Sequence, residues 1–188
     1  MSIKITVRDI AGLCPEKAIW KMMADVSTLL LEGNVIYNIS PDTVTIDGDM
    51  FIVEAGQGVQ KEYVAPESIE GDKPDMKQII WSLGAVIYFA ATGHVIFGGH
   101  GSYYQKENPS VSLPVLPKNL QKLTAVLHKC ICCNPEERIS MIELKEVALK
   151  GLASCEKRQR IKSDLANIMT GNKDIRNGEK WPEEMIEI

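Results

Sequence analysis

Apolar positions recur at helical spacing over residues 15–31, where Ile19, Met22, Met23, Val26, Leu29 and Leu30 share a face. Pro15 suits the first turn of that helix, Glu16 its positive end, and Gly33 its exit. Ahead of it, residues 6–10 read as a short helix with Thr6 as N-cap, ended by Gly12. The period then changes. Val35-Ile36-Tyr37 is a short β-like run, and two further β-branched runs, Val44-Thr45-Ile46 and Met50-Phe51-Ile52-Val53, flank Asp47-Gly48-Asp49. That pattern predicts a hairpin. Residues 54–58 read as loop, and polar sequence punctuated by Gly and Pro continues to about Asp75.

Helical patterning returns at 76–92, which is apolar on nearly every side. Residues 93–117 read as a long loop rich in glycine and proline. Over 120–132, Leu120, Leu123, Val126, Leu127, Cys130 and Ile131 again form one face. Ser140 and Glu143 have capping-box spacing and open a helix through about Leu152, and a more polar helix follows over 157–169. Eight β residues cannot carry a sheet-based domain, so the expectation is a mainly α domain over 1–170 with a surface hairpin, followed by a tail over 171–188.

The uncharged stretch from Gln78 to Gln105 raises the question of a membrane span. Its apolar part is cut short by Thr92, Gly93, His94 and the Gly98-Gly99-His100-Gly101 cluster, below the roughly 20 residues a span needs. A buried central helix is the reading that follows, with no membrane partner. The chain has 188 residues, 45% of them hydrophobic and 24% charged, which excludes general disorder, collagen and coiled coil. A net charge of −4 and 6% aromatics argue against binding nucleic acid by its phosphates or by base stacking. The five cysteines are odd in number, and Cys130, Cys132 and Cys133 are clustered, so reduced thiols in a cytoplasm fit better than a disulfide framework. No secretory signal is visible at the start.

Four landmarks fall in order around these elements: Asn38-Ile39-Ser40-Pro41-Asp42-Thr43-Val44 before the hairpin, Glu54-Ala55-Gly56 after it, Ala65-Pro66-Glu67, and Trp81-Ser82-Leu83-Gly84 in the apolar helix, followed later by Asn134-Pro135-Glu136-Glu137-Arg138. Together they resemble the C-terminal lobe of a protein kinase over about 15–152. There a catalytic loop precedes a hairpin, an Asp-Phe-Gly motif holds a metal, and Ala-Pro-Glu closes the activation segment. The resemblance places Asn38 at the catalytic Asp, Ser40 at the Lys and Thr43 at the metal-binding Asn, with Ile36 at the His and Glu54-Ala55-Gly56 at Asp-Phe-Gly. A carboxamide has no titratable acceptor near neutral pH, so Asn38 cannot serve as the base. Neither a Gly-rich loop over the phosphates nor a Val-Ala-x-Lys strand precedes the first helix, so the N-terminal lobe is expected to be absent. Such a lobe, with Glu16-Lys17-Ala18-Ile19-Trp20 in its first helix, resembles the kinase non-catalytic C-lobe domain, or KIND domain. Members of that family bind proteins, one of them a basic polypeptide tail. The resemblance implies the fold and a binding role, without that partner.

The expected function is a catalytically inactive interaction module or scaffold, with no catalytic residues, no cofactor and no metal, monomeric or weakly oligomeric. The alternative is a nucleotide- or cation-binding pseudokinase-like sensor, or a weak phosphotransferase, with Glu54 holding the cation. The resemblance also implies that Glu67 and Arg138 form a structural ion pair. Nine acids against two lysines between residues 42 and 75 give a local net of −7. Asp42, Asp47, Asp49, Glu54, Glu62, Glu70, Asp72 and Asp75 are therefore a candidate face for an unidentified protein or basic peptide. A solvated face kept soluble by charge is the plainer reading. The thiol cluster lacks the second ligand pair a zinc site needs, and Cys130 and Cys133 at i and i+3 are expected to face the core. His94 and His100 have no nucleophile or acid placed beside them in the sequence, and Trp20, Tyr37 and Trp81 are expected in the core. Trp181-Pro182 in the tail could anchor to the body or to a partner.

Overall fold

A computed structural model describes residues 4–33, 38–56, 60–68 and 73–169. Tyr37 and the β-like run at 35–37, Glu70, Asp72, the tail and Trp181 lie outside the described residues. The elements are β1 (Ile5–Thr6), α1 (Glu16–Leu31), β2 (Val44–Asp47), β3 (Met50–Val53), α2 (Met76–Thr92), α3 (Gly101–Glu107), α4 (Gln121–Ile131) and α5 (Met141–Met169), with 3-10 turns between several of them. The architecture is mainly α with a small antiparallel sheet in the order β1-β2-β3. By compactness the chain divides into Met1–Ala153 and Ser154–Ile188.

The first unit is organised on α2. The Asp75 carboxylate accepts the Gln78 N–H at 2.8 Å, and the Gln78 side chain accepts the Asp75 N–H at 2.9 Å, which closes a reciprocal cap. Gly93, at φ 75°, ends the helix in the left-handed conformation. Eleven of the 17 residues of α2 are buried, which is why its sequence is apolar on nearly all sides. Among the described residues no helix is long and apolar enough to cross a membrane. α4 packs closely on α2 because Gly84 has no side chain: a Cβ there would lie 2.6 Å from Ile131 Cγ2 and 2.8 Å from Cys130 Cβ. α1 packs on both α2 and β3. The Asp25 carboxylate accepts the Phe51 N–H at 2.9 Å and the Lys21 ammonium at 2.9 Å, which ties helix to hairpin. Trp20 and Trp81 are buried, and the Trp20 indole N–H donates to Glu16 at 3.1 Å.

Four expectations need correction. Residues 6–10 do not form one helix capped by Thr6. Ile5 and Thr6 pair with Ile46 and Thr45 as a third strand, and the Thr6 N–H and hydroxyl both donate to Asp9 at 2.8 Å, so it is the later carboxylate that binds the earlier residue. The polar-apolar alternation of Lys4 to Arg8 was the strand signal. Residues 93–117 are not one loop, since α3 lies inside it. Gly101, at φ 56°, enters α3 against Glu62, whose carbonyl oxygen would lie 2.4 Å from a Cβ at that position. The helix opened by Ser140 does not stop at Leu152 but runs to Met169, because residues 152–157 contain neither glycine nor proline. Cys133 is past the end of α4 and half-buried, so of this pair Cys130 alone is in the core.

Gly151 sits within α5 without breaking it. A Cβ there would lie 2.3 Å from Trp20 Cδ2 and 2.5 Å from Cε2. Helix propensity alone would make Gly151→Ala stabilising by about 1 kcal/mol. Overpacking against a fused ring that cannot give way costs about 1–3 kcal/mol and decides the sign. Urea denaturation of Gly151→Ala should therefore show a lower midpoint than the parent chain.

Candidate functional site

The hairpin and its flanks bring together the two motifs singled out in the sequence, 38–43 and 54–56. Residues 38–43 form a tight hydroxyl-closed loop. The Ser40 N–H donates to Thr43 Oγ1 at 2.9 Å, and the Thr43 hydroxyl is 3.1 Å from the Asn38 carbonyl and 3.2 Å from that of Ser40, to which it donates. Ser40 and Thr43 are both buried, and their hydroxyls are 3.4 Å apart. Short hydroxyl side chains favour this kind of local backbone bonding, and here they use it to fold the loop on itself. The Glu54 N–H donates to the Thr43 carbonyl at 2.9 Å. A Cβ on Gly56 would lie 2.4 Å from Thr43 Cγ2 and 3.8 Å from Asn38 Nδ2. Glu54-Ala55-Gly56 is therefore packed onto Asn38 and Thr43.

Two basic side chains from the N-terminal segment reach this region, and sequence reasoning missed both. Lys4 is ion-paired with Glu54. Arg8 donates from Nη2 to Asp42 Oδ2 at 2.9 Å and from Nε to Oδ1 of the same carboxylate, and Nη2 also lies 3.3 Å from Gln60 Oε1. Gln60 in turn donates to Asp42. The hydrogen bond from Arg8 holds the Asp42 carboxyl below its ordinary value and raises that of Arg8. The Arg8 guanidinium lies 5.4 Å from the centroid of the Phe89 ring, which Tyr63 meets edge-on at 6.0 Å. Tyr63 is buried, its hydroxyl has no partner among the described residues, and burial pushes its ionisation up to about 12.

The acidic candidates are not gathered into one open field. Asp42 faces Arg8, Glu54 faces Lys4 and Glu67 faces Arg138. Asp75 caps α2. Asp47 and Asp49 are exposed at the hairpin tip, and Glu62 is exposed in the Lys61–Tyr63 turn. The sequence sum of −7 overstates the field, because several of these charges are matched by bases distant in the chain.

The Glu67–Arg138 pair is bidentate, at 2.6 and 2.8 Å, and the Arg138 side chain is 0% exposed against 28% for Glu67. The remaining guanidinium donors reach the carbonyls of Cys132 at 2.9 Å, Cys133 at 3.0 Å and Lys77 at 3.0 Å, so all five N–H groups are used. The cysteine run thus serves Arg138 through its backbone. Burial raises the thiols of Cys130, to about 12, and of Cys132, and so disfavours thiolate. Among the described residues no group of three His, Cys, Asp or Glu is placed to hold a metal ion. His94 and His100 are exposed, and the His100 ring stacks on Tyr104 at 6.2 Å.

A model of the family described as the protein kinase domain matches residues 55–149. The match takes in Gly56, Glu67, Trp81 and Arg138, while Asn38, Ser40, Thr43 and Glu54 precede it. The dual specificity protein kinase Ttk of Danio rerio is 30% identical over 137 residues, which is 65% of this chain. The chain spans 13% of the length of that relative.

Proposed function

The chain belongs to the protein kinase domain family, and from that premise we propose that it is a protein-interaction module without phosphoryl-transfer activity. A kinase site needs a carboxylate to accept the substrate proton and an Asn and an Asp to hold its metal ions. The observation that carries the reading is the fate of the two cation-holding positions. The Thr43 hydroxyl is buried and directed to loop carbonyls, and the Glu54 carboxylate faces the Lys4 ammonium. Asn38, at the base position, offers only a carboxamide. The Glu16–Trp20 contact in α1 supports the finer likeness to the KIND domain, and with it a scaffold role in which shape and charge are used without turnover. A basic peptide or a protein presenting one is the partner that the acids around the hairpin favour. A cytoplasmic setting suits five free thiols.

The second reading, a nucleotide or cation sensor or a weak phosphotransferase, is favoured by one observation. Glu54 is 31% exposed beside Gly56, so its carboxylate is within reach of a cation able to displace Lys4. Thermal melting with ATP and Mg²⁺ separates the two. A nucleotide at a hundredfold excess over its Kd stabilises by about 2.7 kcal/mol. The interaction reading expects no shift at millimolar ATP–Mg²⁺ and no phosphate transfer with Mg²⁺ or Mn²⁺. A clear upward shift, or turnover that Asn38→Ala abolishes, would overturn it.

A further inference from the structure

Residues 4–8 lie along the hairpin as a ligand lies in a slot. Ile5 and Thr6 pair antiparallel with Ile46 and Thr45. Past the strand the chain turns at Val7 into a 3-10 turn, and there the Val7 N–H donates to the Val44 carbonyl at 2.9 Å and the Arg8 N–H to the Pro41 carbonyl at 3.1 Å. Val7 is 0% exposed. Lys4 meets Glu54, which lies opposite Thr43 at the start of β2, and Arg8 meets Asp42 beside it. The slot therefore reads four features of a segment that is extended over two residues and then turns: a cation, a free β edge, one buried branched side chain at the turn, and a second cation four residues after the first. This is the chemistry of strand addition, in which main-chain bonds supply affinity and alternate side chains supply selectivity.

Two features make the strap a replaceable occupant. Its hold is local: β1 has two residues, Ile5 is 42% exposed, and both ion pairs are substantially solvated, so each is individually weak. Its fit is also incomplete. Thr45, directly opposite Thr6 in the ladder, is 1% exposed with a hydroxyl that has no partner among the described residues. Thr6 would be its natural cross-strand partner, but the Thr6 hydroxyl is committed to Asp9 at 2.8 Å. A segment without that aspartate could satisfy the Thr45 hydroxyl.

We propose that the β2 edge, with Glu54 and Asp42 grouped at its start, is the peptide-docking slot of this module, that residues 4–8 occupy it in cis, and that a partner enters as a basic–apolar–polar–apolar–basic segment, extended where it pairs with Thr45 and Ile46, by displacing them. The inference rests on the interaction-module reading and supplies its site. Tethering gives the strap a high effective concentration, so a free peptide competes poorly with it until the strap is weakened.

The test uses the full chain and a variant carrying Lys4→Glu and Arg8→Glu, which keeps Val7 but sets like charges against Glu54 and Asp42. The probe is a fluorescent peptide of residues 2–11, with a scrambled peptide of equal charge as control. Binding to the variant at least tenfold tighter than to the parent, with the scrambled peptide weaker, is the expected result. Equal binding of the two peptides, or equal binding to the two proteins, would overturn the slot while leaving an interaction role by charge alone. Failure of every peptide at millimolar concentration would also overturn the slot. The interaction reading falls separately, on nucleotide stabilisation or turnover. Should the variant not fold, hydrogen exchange on the parent chain decides. The amides of Val7 and Arg8 are expected to exchange well before those of the β2–β3 ladder, and equal protection would mean that the strap is not displaceable.

Discussion

Glu67→Ala is expected to lower the unfolding free energy by about 3–5 kcal/mol, the range seen when a buried ion pair loses one partner. The physical reason is the asymmetry of the pair. Arg138 is wholly enclosed and cannot rehydrate in place, while Glu67 retains some contact with water. Removing the carboxylate strands a guanidinium whose other three donors stay fixed on the carbonyls of Cys132, Cys133 and Lys77. Arg138→Met should be similarly costly for the complementary reason, since those three carbonyls lose their donors together. The double variant should cost clearly less than the sum, because each single change already breaks the same network. Urea denaturation of the four proteins forms the cycle. A loss below about 1 kcal/mol for Glu67→Ala would place the pair among solvated surface contacts, whose median contribution is small.

The second large effect is expected at Gln105. The Trp81 indole N–H donates to Gln105 Oε1 at 2.8 Å, and Gln105 Nε2 donates to the Ile131 carbonyl at 2.7 Å. Trp81 is 0% and Gln105 1% exposed, so one side chain links α2, α3 and the end of α4 inside the core. Gln105→Met keeps length and volume but leaves a buried donor and a buried acceptor without partners. Each such group costs about 1–3 kcal/mol, for a combined loss of about 2–6 kcal/mol. In a Trp81→Phe background the donor is already gone, so the further cost of Gln105→Met should fall by roughly half. Chemical denaturation checks the loss, and the indole proton resonance of Trp81 should move on Gln105→Met in the otherwise unchanged chain. Full additivity with Trp81→Phe would break the proposed link.

Much of the fold was legible because its signals are local. The apolar run of α2 with Asp75 and Gln78 at its start, the branched residues either side of Gly48 and Asp49, and the Ser140–Glu143 pair each state a period or a cap within a few residues. The family landmarks survived reading for the same reason, as short motifs in a fixed order. α3 was not legible, since glycines at 98, 99 and 101 hide a helix whose place is set by the distant Glu62 backbone. At the candidate site, Asn38, Thr43 and Glu54 could be aligned by motif. Lys4 and Arg8 could not, because nothing local marks a base that will meet a carboxylate 34 or 50 positions later.

By itself the sequence determined the mainly α character, the hairpin and most of the helix caps, all of which depend on neighbouring residues or on side-chain chemistry. Only the tertiary structure decided which charges are matched, that Thr43 is closed into its own loop, and that Ile5 and Thr6 form a third strand beside the hairpin. These outcomes depend on surfaces assembled from distant parts of the chain, where a lysine at position 4 neutralises an acid that composition would count as open.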